Sequence, residues 1–110
     1  MNPRRTAPFD AQSIESIARR LRALRHALGL TQEEMVMAIG SFSGPQMWGN
    51  YEKAYRRISL DHAQALRARY GLTLDWIYNG NQAMCDPGLI ERIRSHELSA
   101  GRKSREDQAC

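Results

Sequence analysis

Only two cysteines, Cys85 and Cys110, occur in the 110 residues. No motif frames either, so neither a disulfide scaffold nor a cysteine-rich zinc site organises the fold. Both are expected as reduced thiols, with Cys110 open to adventitious cross-linking. Aromatic residues are few, and apolar residues never run together for the roughly 18 positions that a membrane span needs. The start carries no apolar signal-peptide segment, and the cytoplasm is the expected location. No stretch alternates well enough to be a strand. His26, His62 and His96 fall on three different helical segments, with no HExxH pattern and no metal-ligand spacing to either cysteine. No glycine-rich phosphate loop follows a strand. The sequence therefore offers no catalytic, metal-binding or cofactor-binding constellation, and the expectation is a protein that is not an enzyme.

What is present is length for one domain with extensions, and an excess of positive charge. Sixteen Lys and Arg against twelve Asp and Glu give a net charge of +4 and an isoelectric point near 9.5. A polyanionic partner suits that balance without being required by it. The distribution says more. Residues 13–80 hold nine basic and six acidic side chains, residues 1–12 add one net positive charge through Arg4 and Arg5, and residues 81–110 balance at five against five.

Residues 1–12 show no periodicity and are expected as a flexible basic arm. From Ile14 the pattern is helical: Ile14, Ile17, Ala18, Leu21, Leu24 and Leu28 recur at three- and four-residue steps and Gly29 stops them. Thr31 and Glu34 form a capping box opening a second helix with an apolar face of Met35, Ala38 and Ile39, ended by Gly40. After the turn Ser41 to Gly44, Pro45 suits the first position of a third helix, with Ser43 or Gly44 as its cap. There Trp48 and Tyr51 face inward, while Gln46, Met47, Gly49 and Asn50 are left facing out. Ser59 caps a fourth helix with an inner face of Leu60, Ala63, Leu66 and Tyr70. Thr73 caps a fifth carrying Leu74, Trp76 and Ile77. The spacing predicts helices near 14–28, 32–39, 45–53, 60–70 and 74–79, within a domain spanning 13–80. Residues 81–110 are expected as a linker, a short sixth helix opened by Asp86-Pro87, and a disordered tail from Ser99. Leu89, Ile90 and Ile93 on that sixth segment either pack on their own domain or serve a homodimer.

The second and third helices, joined by a glycine-containing turn, follow the helix-turn-helix plan, in which one helix crosses the DNA backbone and the next enters the major groove. Gly29-Leu30-Thr31-Gln32-Glu33-Glu34-Met35, then Tyr51-Glu52-Lys53, Ala65-Leu66 and Leu72-Thr73-Leu74-Asp75-Trp76-Ile77-Tyr78-Asn79-Gly80 occur in that order. Together they resemble the phage-repressor family, also called the Cro/repressor or XRE family, over about residues 14–80. The resemblance implies an all-α, five-helix lambda-repressor-like DNA-binding domain. Between Gly40 and Glu52 this chain carries two residues more than is common in the family. The extra length is placed in the turn Ser41 to Gly44, and Pro45 takes the first recognition position.

The resemblance implies base reading by Gln46, Met47, Gly49 and Asn50. Gln and Asn amides can pair bidentately with adenine, and a methionine can meet a thymine methyl. It implies phosphate contacts from Gln32, Lys53, Arg56 and Arg57. For Gln32, an ordinary exposed first-turn residue is the equal alternative. It implies that Arg25 and Glu52 form a partly buried structural ion pair. The expected function is a small sequence-specific transcriptional regulator, a repressor, binding an inverted-repeat duplex DNA operator as a homodimer. The alternative is an antitoxin-like or adaptor protein whose main partner is another protein, with the Leu89-Ile90-Ile93 trio as its sequence feature.

Overall fold

The computed structural model describes residues 10–41 and 44–109, with side chains through Leu98. Every regular element among them is a helix: α1 (Ile14–Leu28), α2 (Gln32–Ala38), α3 (Pro45–Glu52), α4 (Leu60–Tyr70), α5 (Leu74–Asn79) and α6 (Pro87–Ala109). Local chemistry sets most of the boundaries. Ser13, Ser59 and Thr73 each accept a hydrogen bond from the backbone N–H three residues on. At α2 the box closes both ways, with Glu34 N donating to Thr31 Oγ1 at 3.1 Å and Thr31 N to Glu34 Oε1 at 2.8 Å. Asp86 Oδ2 accepts from Leu89 N and opens α6. Helix α3 differs, because Gly44 is its cap and supplies no side-chain acceptor. The turn before α3 includes residues 42 and 43, where the extra length was placed, and these lie outside the described residues.

The core is contiguous. Ile17, Leu21 and Leu24 from α1 meet Met35, Trp48, Leu66, Leu72 and Ile77, all of them fully buried. Leu28, expected inside, is half-buried at the edge. Two expectations are corrected. Leu60 is 57% exposed, because it is the first residue of α4 and Ile58, just before the cap, takes the inward place. Ile58 and Ala63 occupy the positions of a hydrophobic staple, and both are in the core. The 81–85 segment is also more than a linker: Cys85 is buried, with its sulfur 3.6 Å from Thr73 Oγ1.

Helix α6 is 23 residues long and continues through the segment expected as a disordered tail. Leu89, Ile90 and Ile93 are buried in the common core, where α6 packs chiefly along α1. Arg92 Nη2 reaches back to the Ala27 carbonyl in the last turn of α1, a favourable place for a cation.

Residues 1–9 of the expected arm lie outside the described residues, and the remainder is fastened down. Ser16 Oγ donates to Asp10 O at 2.8 Å, Arg20 Nη2 to Ala11 O at 2.6 Å and Arg57 Nη1 to Gln12 O at 2.9 Å. Arg20 is itself buried and also donates to Ile77 O. Burial lowers its pKa, partly countered by the charge of Glu97. Gly80, closing α5 at φ +80°, leaves the room Arg20 needs, since a Cβ there would lie 3.0 Å from Arg20 Nη1.

The packing predicts a sharp contrast between two leucines on expected inner faces. Leu24→Ala should cost about 2–5 kcal/mol, whereas Leu60→Ala should cost less than about 0.5 kcal/mol. Urea unfolding of both variants checks this, and equal costs would mean that the α4 face has been misplaced. Ala54 holds φ +62°, a conformation that costs an L-residue about 1 kcal/mol or more. Ala54→Gly should therefore raise the urea midpoint, and an unchanged or lower midpoint would show that this strain is absent.

Candidate nucleic-acid interface

The outward surface of α3 depends on what lies behind it. Trp48 and Tyr51 point into the core and fix the rotation of the helix about its axis. Tyr51 Oη meets His62 Nδ1 at 2.7 Å and accepts from Ser59 N at 3.4 Å, which ties α3 to the start of α4. Glu52, in the last turn, is the main anchor. Its side chain is 3% exposed, and Arg25 grips it through two parallel bonds, Nε to Oε2 at 2.6 Å and Nη2 to Oε1 at 3.0 Å. Trp48 Nε1 donates to Oε2 at 2.5 Å and Gln32 Nε2 to Oε1 at 3.4 Å. Arg22 lies 3.8 Å from the same carboxylate and donates to the Glu52 carbonyl at 3.4 Å.

These contacts define the electrostatics. Burial alone would raise the Glu52 carboxyl, but hydrogen bonds from Arg25, Trp48 and Gln32 and the charge of Arg25 hold it below its ordinary value. Arg25 has further partners, donating from Nη1 to Leu30 O at 3.0 Å and from Nη2 toward His26 Nε2 at 3.2 Å. A guanidinium can only donate, so His26 Nε2 is the acceptor and the neutral imidazole carries its proton on Nδ1. His26 is held below its ordinary pKa by desolvation and then by the charge of Arg25, in keeping with that tautomer.

The four residues expected to read bases separate. Gln46 is exposed and Asn50 partly exposed, four residues apart and hence on one stripe of α3. Lys53, three residues further and exposed, continues the stripe at the helix end. Met47 is half-buried and packs against the core, since it lies four residues before Tyr51. Gly49 is corrected outright. It is buried, and a Cβ there would sit 3.4 Å from Gln32 Oε1. The Gln32 side chain lies over it, between α2 and α3. Gln32 is accordingly half-buried, with its amide turned inward to Glu52.

The expected phosphate contacts after α3 are all on the surface. Lys53, Arg56 and Arg57 are exposed, and Arg57 gives one donor to Gln12 O. No acidic residue stands between Lys53 and Leu60, so this loop presents uncompensated positive charge. Sequence reasoning passed over Tyr55, which is 72% exposed in the middle of the loop. A large aromatic among three cations was the available signal.

Because the folded pKa of Glu52 lies below its unfolded one, its contribution is complete above the ordinary value near 4.5 and is lost as pH falls through the depressed value. Glu52→Gln should lower stability at neutral pH, and its deficit relative to the parent should shrink below about pH 4.5. Urea midpoints measured across that range check it, and a pH-independent deficit would remove the ion pair as the cause. A double-mutant cycle of Arg25→Met and Glu52→Gln should show coupling well above about 0.5 kcal/mol.

The packing of α2 against α3 across a turn, with one stripe of α3 open to solvent, has a counterpart among known families. The helix-turn-helix family matches residues 21–77, just over half of the chain, from Leu21 in α1 to Ile77 in α5. No curated protein and no solved structure matches the chain significantly. Among the described residues, no helix is long and apolar enough to cross a membrane. The braced α3, its cationic end and the span of the family match agree, and the chain belongs to the helix-turn-helix family of Cro/repressor (XRE) type, a family of DNA-binding regulators.

Proposed function

We propose that this protein binds an inverted-repeat DNA operator as a homodimer and represses transcription from the cytoplasm by occupying it. The observation that carries this reading is the stripe Gln46, Asn50, Lys53 on α3, open to solvent on a helix braced from behind through Glu52. Gln46 and Asn50 offer amides that can pair with adenine edges, and Lys53, Arg56 and Arg57 neutralise phosphates. Arg57 keeps most of its five donors after its single bond to Gln12 O. Met47 supports the stripe from its flank. Gln32 acts as a brace between α2 and α3 through Glu52.

A single recognition helix covers only a few base pairs. Two copies related by a dyad read two half-sites with centres about 34 Å apart, which supports the homodimer. The adaptor reading has lost its motivating feature, because Leu89, Ile90 and Ile93 are buried inside this chain's own core.

The test is titration of operator and scrambled duplex at several salt concentrations, after an operator has been selected from random oligonucleotides. Gln46→Ala and Asn50→Ala should each weaken discrimination by about 1–3 kcal/mol at particular base positions and leave non-specific binding intact. Arg56→Ala should weaken binding to both duplexes and flatten the logarithmic salt slope by about 0.9 per lost contact. If both amide variants keep the parent's base preferences, α3 is not the reading surface.

A further inference from the structure

We propose that Tyr55 is an additional contact to the DNA backbone, with its hydroxyl donating to a phosphate beside the one that Lys53 or Arg56 neutralises. The inference rests on the DNA-binding reading above and adds an uncharged member to its phosphate-contacting set.

The end of α3 places Tyr55. Ala54 N donates to Tyr51 O at 3.2 Å and Tyr55 N to Asn50 O at 2.9 Å, with Ala54 in the left-handed region between them. This is a Schellman ending, in which the second residue past the cap lies over the residue three places before it. A hydrophobic contact usually forms between those two positions. Here the earlier position is Asn50, the polar residue of the outward stripe, so Tyr55 finds no apolar partner on its own helix. It projects into solvent at 72% exposure. Arg56 N also donates to Asn50 O, at 3.3 Å, so one carbonyl of the recognition stripe holds both residues.

The surroundings choose the partner. Lys53 Nζ lies 5.9 Å from the centre of the Tyr55 ring, and Arg56 and Arg57 follow in sequence. A second copy seated over Tyr55, and over Leu60, which is 57% exposed, would bring two such cationic loops together. A polyanion is drawn to the same loop. The ring offers an apolar body to a deoxyribose and the phenol a donor to the adjacent phosphate oxygen, as amphipathic aromatics do where one end is apolar and the other wet.

An uncharged donor leaves a signature that lysine and arginine do not. Losing it removes affinity for every duplex but releases no counterion, so the salt slope stays unchanged. Tyr55→Phe should weaken binding to operator and scrambled duplex by the same factor, roughly 10- to 150-fold for one hydrogen bond to a charged acceptor, at the parent's slope. Tyr55→Ala should weaken both further. Being exposed, either variant should melt like the parent. Arg56→Ala, run alongside, should flatten the slope. Tyr55→Phe within twofold of the parent while Arg56→Ala flattens the slope would overturn the Tyr55 assignment and leave the DNA-binding reading standing. If neither variant alters binding, the whole loop is misassigned. Sedimentation without DNA covers the remaining outcome: a weaker dimer in Tyr55→Ala, with Tyr55→Phe at parental affinity, would make Tyr55 a contact between copies and overturn the proposal.

Discussion

A buried carboxylate at the end of α3 is the constraint on which the rest of this structure depends. Removing a carboxylate from water costs several kcal/mol, and the negative end of the helix dipole opposes one in the last turn. Glu52 is tolerated there because Arg25 meets it bidentately and Trp48 and Gln32 use its remaining lone pairs. Each partner belongs to a different part of the domain. Arg25 comes from α1, Gln32 from the first turn of α2 and Trp48 from α3 itself. Satisfying one carboxylate thus sets the relative positions of the three helices that form the candidate interface. Apolar packing alone fixes such angles less tightly, because hydrophobic contact is non-directional, whereas a bidentate pair has one good geometry.

The helices were legible because their ends carry local chemistry. Ser13, Thr31, Ser59 and Thr73 cap, Gly29, Gly71 and Gly80 stop, and the hydrogen bonds concerned span only a few residues. Arg25 with Glu52 was legible only through the family resemblance, since nothing local links residues 27 positions apart. What escaped the sequence was decided by tertiary contact. Gly49 has a period that points outward, yet it is buried beside the Gln32 side chain, which lies across α3 to reach Glu52. Leu60 is the first residue of α4 and turns to solvent, and Ile58 fills the core from outside the helix. The length of α6 was missed for another reason. The residues beyond Ser99 are polar and show no apolar face, and the apolar trio that anchors the helix to α1 lies in its first two turns.

Counting charges along the chain does not count contacts with DNA, and the structure explains the difference. Of the basic residues in 13–80, Arg25 is matched against Glu52, while Arg20 is buried against the neutral carbonyls of Ala11 and Ile77. Carbonyl partners satisfy the donors of Arg20 without cancelling its charge, which is why burial lowers its pKa. Arg20 does structural work, fastening residues 10–12 and the end of α5 to α1. Arg57 stands between the two groups. It is exposed among the candidate phosphate contacts and also holds the Gln12 carbonyl. A phosphate approaching Arg57 would therefore meet a guanidinium already oriented by the backbone at the base of the arm, with less side-chain entropy left to lose on binding. The same residue couples the described end of the arm to the loop that follows α3. Residues that look alike in composition are sorted by the acceptor each one finds: a carboxylate in the core, a carbonyl at a helix end, or open solvent beside α3.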